Sequence, residues 1–392
     1  MRDIPRIVWI LAVGRFVNAA GTFVFIYLFV YLTGPRGLAI GFAGLLSGAL
    51  GAGMFAGNFT GGWFGDRFGH RRVMLVASTI AGVTTLAVPV TPAWLLAVTM
   101  PLLGYAGATA GTSQGALVAL AVPPGDRRRS VALTRAAFNA GCVIGPPLGA
   151  LLAADHFAAL FIIDGIVTLL VRAVTARLLP ATSITAPATR ERTGGLWRTL
   201  LADRGLLTLL PAIVVVDVVY RQLYSTLPVY LRDQGQPMAL YAALIAVGSG
   251  LILLLEIPAT MAMHRLPALR IITVGYVLVG LGMGLFSLGA TIAVTIGAMI
   301  VLTAGEILYK TTATAYVLDR APTQLTGQYQ GIYTGAATSG TMLAPPLGAL
   351  LYSHAPSVLW PVCMVLAIGA GVLAWRSGRA GAGHCTPVPV AA

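Results

Sequence analysis

A helix needs about 20 consecutive apolar residues to cross the hydrocarbon of a bilayer. Runs of that length divide this chain into twelve segments, near 7–33, 38–65, 73–90, 93–122, 131–153, 158–179, 205–233, 239–263, 271–289, 291–318, 328–352 and 357–376, separated by glycine, proline and charge. The pattern predicts an all-α membrane protein of twelve transmembrane spans. The first run follows Arg2 and Arg6 and contains Ala19-Ala20, as a cleaved secretion signal would. Its apolar stretch is longer than a signal core and eleven more follow, so it reads as a retained span 1.

The longest polar stretch is 180–204, rich in proline, threonine and arginine, and it reads as a cytoplasmic linker. It divides an N-terminal six-helix bundle, 1–179, from a C-terminal one, 205–376, and residues 377–392 read as a disordered cytoplasmic tail. The halves are repeats. GPPLGALL at 145–152 recurs as APPLGALL at 344–351, an offset of 199 residues. The same offset superposes Tyr31-Leu32 on Tyr230-Leu231, Pro123 on Pro322 and Arg71 on Arg270. A constant register across separate positions marks two six-helix halves in the same orientation, an arrangement found in transporters whose site lies between the halves.

Composition agrees: 57% of the residues are hydrophobic and 9% charged, against about 25% charged in soluble chains, and the mean hydropathy is +0.85. The net charge of +13 would suggest nucleic acid if clustered on a soluble face. Instead, with both termini inside, 18 arginines fall in the cytoplasmic loops and only Arg36 and Arg232 in the opposite ones. The positive-inside rule therefore predicts a multi-pass protein of the inner (plasma) membrane with both termini cytoplasmic, and leaves no basic patch for nucleic acid. Cys142, Cys363 and Cys385 lack metal-ligand spacing, and the five histidines are scattered. There is no phosphate-cradling loop, no H-E-x-x-H and no nucleophile elbow. Neither an enzyme, nor a metal site, nor a cofactor is expected.

The turn after span 2 reads Gly62-Trp-Phe-Gly-Asp66-Arg67-Phe-Gly69-His-Arg71-Arg72. This G-x-x-x-D-R-x-G-x-R-R pattern resembles the signature of the major facilitator superfamily, which sits in the same loop, and the resemblance extends over about 370 residues. It implies the major facilitator fold, alternating access, and a latch closing the halves in the outward-facing state, with Gly62, Asp66, Arg67, Gly69, Arg71 and Arg72 in the matching positions. The second half has His264-Arg265-Leu-Pro-Ala-Leu-Arg270 instead, without the aspartate.

Span 5 carries Arg135, Asn139, Gly141, Gly145, Pro146, Pro147 and Gly149. The glycines form one smooth stripe for close helix packing, and the prolines kink the span. The segment resembles the span 5 motif of the superfamily's twelve-helix drug:proton antiporters, with Ala150 in place of the last glycine. Plain helix packing is the competing reading, strengthened by the recurrence in span 11. The family's span 4 arginine is absent, with Gly104 and Gly107 upstream of Gln114-Gly115.

Charges at membrane depth are costly and are functional candidates by default. They are Arg15, Arg135, Asp164, Arg172, Asp217, Arg221, Glu256, Glu306 and Lys310. Asp217 with Arg221, and Glu306 with Lys310, are each four residues apart and share a helix face. Lys310 is the only lysine. The resemblance places spans 1, 4, 7 and 10 around a central cavity, which gathers there Asp217 and Glu306 as proton-coupling acids and Arg15, Arg221 and Lys310 as charge partners. Asn18, Tyr27, Gln114, Tyr220 and Tyr309 would line the cavity. The expected function is proton-coupled antiport, an efflux of amphipathic drugs or metabolites, by a monomer whose partners are a small-molecule substrate, protons and the bilayer. A proton-coupled importer of a polar or ionic nutrient on the same fold is the first alternative. A non-transporting membrane sensor or scaffold is the second.

Overall fold

The computed structural model describes residues 4–21, 23–122, 127–153, 156–179, 203–263, 266–320 and 326–381. The proposed linker up to 202, the tail from 382, and His264 and Arg265 of the second-half loop lie outside the described residues. Every predicted span is helical. The N-terminal half comprises span 1 (Arg6–Gly21 and Val24–Thr33), span 2 (Ile40–Phe68), span 3 (His70–Ala87), span 4 (Ala93–Leu120), span 5 (Arg127–Ala153) and span 6 (Phe157–Leu178). The C-terminal half comprises span 7 (Arg204–Arg221 and Thr226–Asp233), span 8 (Met238–Ala262), span 9 (Ala268–Leu285), span 10 (Ile292–Asp319), span 11 (Thr326–His354) and span 12 (Leu359–Gly381). Among the described residues, eleven of these are long and apolar enough to cross a membrane. The twelfth is span 11, 29 residues rich in glycine, serine and threonine, which packs against spans 2 and 7.

Two spans predicted as continuous are broken, and the breaks obey the repeat. Span 1 is interrupted after Gly21 and span 7 after Arg221, and Phe23 and Gln222 stand 199 residues apart. Different side chains sustain the two breaks. In span 1, Asp164 of span 6 accepts hydrogen bonds on Oδ2 from the backbone N–H groups of Phe23 (3.0 Å) and Val24 (3.2 Å), which the interruption deprives of helical acceptors. In span 7, the Gln222 amide donates to Ala344 O of span 11 (3.0 Å) and its carbonyl accepts from Thr226 Oγ1 (2.5 Å). Broken helices are tolerated at membrane depth when the freed backbone is re-satisfied, by Asp164 in span 1 and in span 7 by turns in which Leu223, Tyr224 and Thr226 donate to the carbonyls of Tyr220, Arg221 and Gln222.

Asp164 is fully dedicated to this task, since its Oδ1 accepts from Thr168 at 3.4 Å. Asp164→Ala leaves two buried donors without an acceptor, each costing about 1–3 kcal/mol. It is therefore expected to lower the thermal unfolding temperature in detergent clearly more than Asp164→Asn, which keeps one acceptor oxygen. Equal melting of the two variants would remove this account of the break.

Candidate translocation site

The halves meet along spans 2 and 11 and along spans 5 and 8. Far from the Gly62–Arg72 turn they are locked together. Gly44, Gly48 and Gly51 of span 2 lie directly on the backbone of span 11 between Thr341 and Pro346. Nearby, Tyr241 donates to Ile26 O (3.4 Å) and Arg232 Nη1 to Thr33 Oγ1 (3.2 Å).

At the end bearing the turn, hereafter the motif end, the described latch residues keep their contacts inside the N-terminal half. Asp66 pairs with His70 (3.2 Å), and Arg67 stacks on Trp63 and Phe68. Arg71 donates to Ala176 O at the end of span 6 (2.7 Å), while Arg72 is exposed. Gly69 takes φ +88°, a left-handed conformation that makes the sharp turn between spans 2 and 3. Nothing lies within 4 Å of a Cβ built on Gly62, so that glycine is not required for packing here.

The wall of the C-terminal half carries a connected set of charges. Glu306 sits buried on span 10. Its Oε1 accepts from Lys310 Nζ (2.7 Å) and its Oε2 from the Tyr220 hydroxyl of span 7 (2.7 Å). The Lys310 side chain is 40% exposed and its ammonium stands 4.9 Å over the Tyr220 ring. Asp217 pairs with Arg221 at 3.5 Å, and its Oδ2 accepts the Gly340 N–H of span 11 at 2.8 Å. Arg221 and Tyr224 line a cavity of about 40 Å³ with Leu28 and Phe29 of span 1 and Thr341 and Pro345 of span 11, between the halves.

A third pair crosses the molecule. Arg135 Nη2 of span 5 is 2.6 Å from Glu256 Oε1 of span 8, and Thr311 of span 10 donates to the same oxygen at 2.7 Å. Arg135 acts electrostatically on Glu306 as well. Sequence reasoning named both residues among the charges at membrane depth and paired neither. Each is an isolated ionisable residue well inside its span, at the motif-end third of two spans that pack together, and that depth match was the available signal. The role of Tyr220 as second donor to Glu306 had no signal of its own.

The predicted site residues divide into two groups instead of gathering in one cavity. Arg15, Asn18 and Gln114 line a separate cavity of about 330 Å³ inside the N-terminal half. Asn18 donates to Thr168 (3.1 Å) and Gln114 to Leu11 O (3.1 Å). Tyr27 does not face either space. It is fully buried, and its hydroxyl donates to Pro146 O at 2.5 Å. Tyr309 is buried edge-on against Tyr276. The span 5 glycines pack onto span 1 within their own half: a Cβ on Gly141 would stand 2.6 Å from Phe16 O and one on Gly149 2.6 Å from Tyr27 Cε2. Gly348 of span 11 abuts Gln222 in the same way, so both copies of the motif clasp the break of a neighbouring span. Asn139 is half-buried on the same span.

Two groups of six spans, ion pairs on spans 7 and 10 and the Arg135–Glu256 pair joining spans 5 and 8 define a polytopic membrane transporter. The profile described as Major Facilitator Superfamily matches residues 11–345, and the chain belongs to that family. It is thus a multi-pass membrane transporter and not an enzyme. It is 24% identical over 367 residues to the MFS-type transporter YttB of Bacillus subtilis (strain 168), covering 89% of each chain. It is 26% identical over 383 residues to a Na(+), Li(+), K(+)/H(+) antiporter of Planococcus maritimus, covering 88% of this chain and 89% of that one. Among solved structures, a POT family transporter in complex with 5-aminolevulinic acid superposes with a TM-score of 0.80 at 14% identity over 96% of both chains. An auto inhibited POT family peptide transporter gives 0.73 at 16% over 100% of this chain and 98% of that one. At such identities the likeness concerns the fold.

Proposed function

We propose that the protein is a proton-coupled antiporter that exports amphipathic compounds by alternating access, with Glu306 as the coupling acid. The observation that carries this reading is the Glu306 carboxylate held between Lys310 and Tyr220 on the wall of the seam. A proton arriving on Glu306 cancels its charge and releases the Lys310 ammonium. A cationic or polar substrate group does the same by competing for the carboxylate. Proton and substrate then exclude each other, which is the requirement for exchange. Asp217, paired with Arg221 on span 7, is the second acid on that wall.

The Arg135–Glu256 pair supplies the link to motion, because it joins the two halves near the motif end. Neutralising Glu256 removes that tie, and a latch already confined to its own half does not oppose parting there. With the arginine-rich loops on the cytoplasmic side, the motif end faces the cytoplasm and the conformation described here is closed to the outside. A second reading, exchange of monovalent metal ions for protons, draws on the Planococcus maritimus relative. It is less favoured, because among the described residues no group of three or more His, Cys, Asp or Glu side chains comes together that could hold a metal ion.

The test uses everted membrane vesicles with a respiration-driven, acid interior and a fluorescent pH probe. Lipophilic ammonium compounds are expected to collapse the gradient, and Na+, Li+ and K+ to leave it intact. The reverse pattern favours the metal-ion reading, and no response to either class rejects proton antiport.

A further inference from the structure

The two halves differ most where their repeat register brings Gly107 and Gly111 onto Glu306 and Lys310. In the C-terminal half that level is filled by the ion pair. In the N-terminal half a Cβ on either glycine would meet nothing within 4 Å, and both line the cavity of about 330 Å³. That volume lies within the range of small-molecule sites. Its walls are mainly aliphatic, from Leu11, Leu50, Met54, Met74, Leu103 and Val171.

Two guanidinium groups line the same cavity, Arg15 from span 1 and Arg172 from span 6. Their levels match, since Gly14 lies against Val171, 3.2 Å from a built Cβ to Cγ1. Among the described residues neither forms a salt bridge, and the Nε of each is buried without an acceptor. Among the described residues, Arg15 stands over the Phe138 ring at 5.2 Å. Asp164 lines the cavity too, but both of its oxygens are engaged by Phe23, Val24 and Thr168. Uncompensated charge at membrane depth is costly, and guanidinium is suited to bidentate capture of carboxylate or phosphate.

We infer that this cavity is an anion site, which takes a carboxylate or phosphate on a short apolar body, its head between Arg15 and Arg172 and its tail along spans 2 and 4. It is separate from the Glu306 cluster, so it stands or falls independently of proton antiport. The occupant's source is either a dissolved acid or the phosphate of an anionic lipid.

The purified full-length chain is placed in nanodiscs of phosphatidylcholine and titrated calorimetrically with hexanoate and, as the oppositely charged control, hexylammonium. Saturable binding of hexanoate alone is expected. Arg15→Gln or Arg172→Gln should weaken it at least about tenfold, the loss of one charge-assisted contact, and Gly107→Leu with Gly111→Leu should block it. Glu306→Gln should leave it unchanged. Repeating the titration in discs containing phosphatidylglycerol separates the sources: suppressed binding identifies lipid phosphate as the competitor, and equal binding a dissolved acid. Since Arg15→Gln relieves an uncompensated charge, it should also melt no lower than wild type, which keeps the test valid if the double leucine variant misfolds. No hexanoate binding in phosphatidylcholine, equal binding of hexylammonium, or binding indifferent to both arginines would overturn the assignment.

Discussion

Glu306→Gln is expected to abolish proton-driven exchange while leaving the protein folded. Glutamine keeps an acceptor for the Tyr220 hydroxyl, but it cannot take up and release a proton, and Lys310 loses its anion. In everted vesicles the substrate-induced collapse of the pH gradient should fall by at least about tenfold, the effect of removing a group that acts in every cycle. Downhill exchange of the same compound, which needs no net proton movement, should persist. The structural cost separates from the functional one. Breaking a buried ion pair costs about 3–5 kcal/mol, and the 40% exposure of Lys310 brings this one well below that range because water screens the ammonium. Adding Lys310→Met removes the orphaned charge, so the double variant should recover melting temperature without recovering coupling. Coupling that survives in Glu306→Gln rejects this acid as the carrier and turns attention to Asp217.

Gly51→Val is expected to inactivate transport by a different route. A Cβ at Gly51 would fall on the carbonyl group of Thr341, inside any tolerable contact distance. The side chain therefore cannot exist in the conformation described here, with the ends far from the motif packed together. Because the contact lies between the halves and not within one, parting them relieves it. Overpacking of this kind costs about 1–3 kcal/mol or more, which shifts a two-state equilibrium by roughly tenfold to a hundredfold. The measurement is maleimide labelling of Ser47→Cys, a position buried at the same seam, after replacement of Cys142, Cys363 and Cys385. Labelling from the side remote from the motif should rise with Gly51→Val, while thermal stability changes little. Unaltered labelling together with a large loss of stability would mean that the glycine serves the fold and not the alternation.

The contrast between these two positions indicates what was legible. The span pattern was readable because a bilayer punishes polar backbone and charge so heavily that span limits are written into composition. The pairing of Glu306 with Lys310 and of Asp217 with Arg221 was equally readable, since residues four apart on a helix are neighbours whatever surrounds them. The sharp turn between spans 2 and 3 was recognisable from its glycines, and Gly69 adopts the left-handed conformation such a turn needs.

Other features follow from contacts between distant segments. The breaks in spans 1 and 7 are invisible in hydropathy, because hydrophobicity reports the solvent of a segment and not its backbone hydrogen bonds. The break in span 1 persists because Asp164 arrives from another span with the right acceptor, and the side chain of Gln222 ties the break in span 7 to span 11. The same holds for Tyr27, which hydropathy and family position put on a cavity wall and which instead spends its hydroxyl on the kink at Pro146. What the sequence alone determined was therefore membrane insertion, the two-fold repeat and the charges made local by helical spacing. The tertiary structure decided which charges cross the seam, as with Arg135 and Glu256. It also decided that Arg15 and Arg172 share a cavity away from Asp217 and Glu306. The reason is physical: local spacing follows from the helix itself, whereas partnership between spans depends on how closely their small residues let the backbones approach.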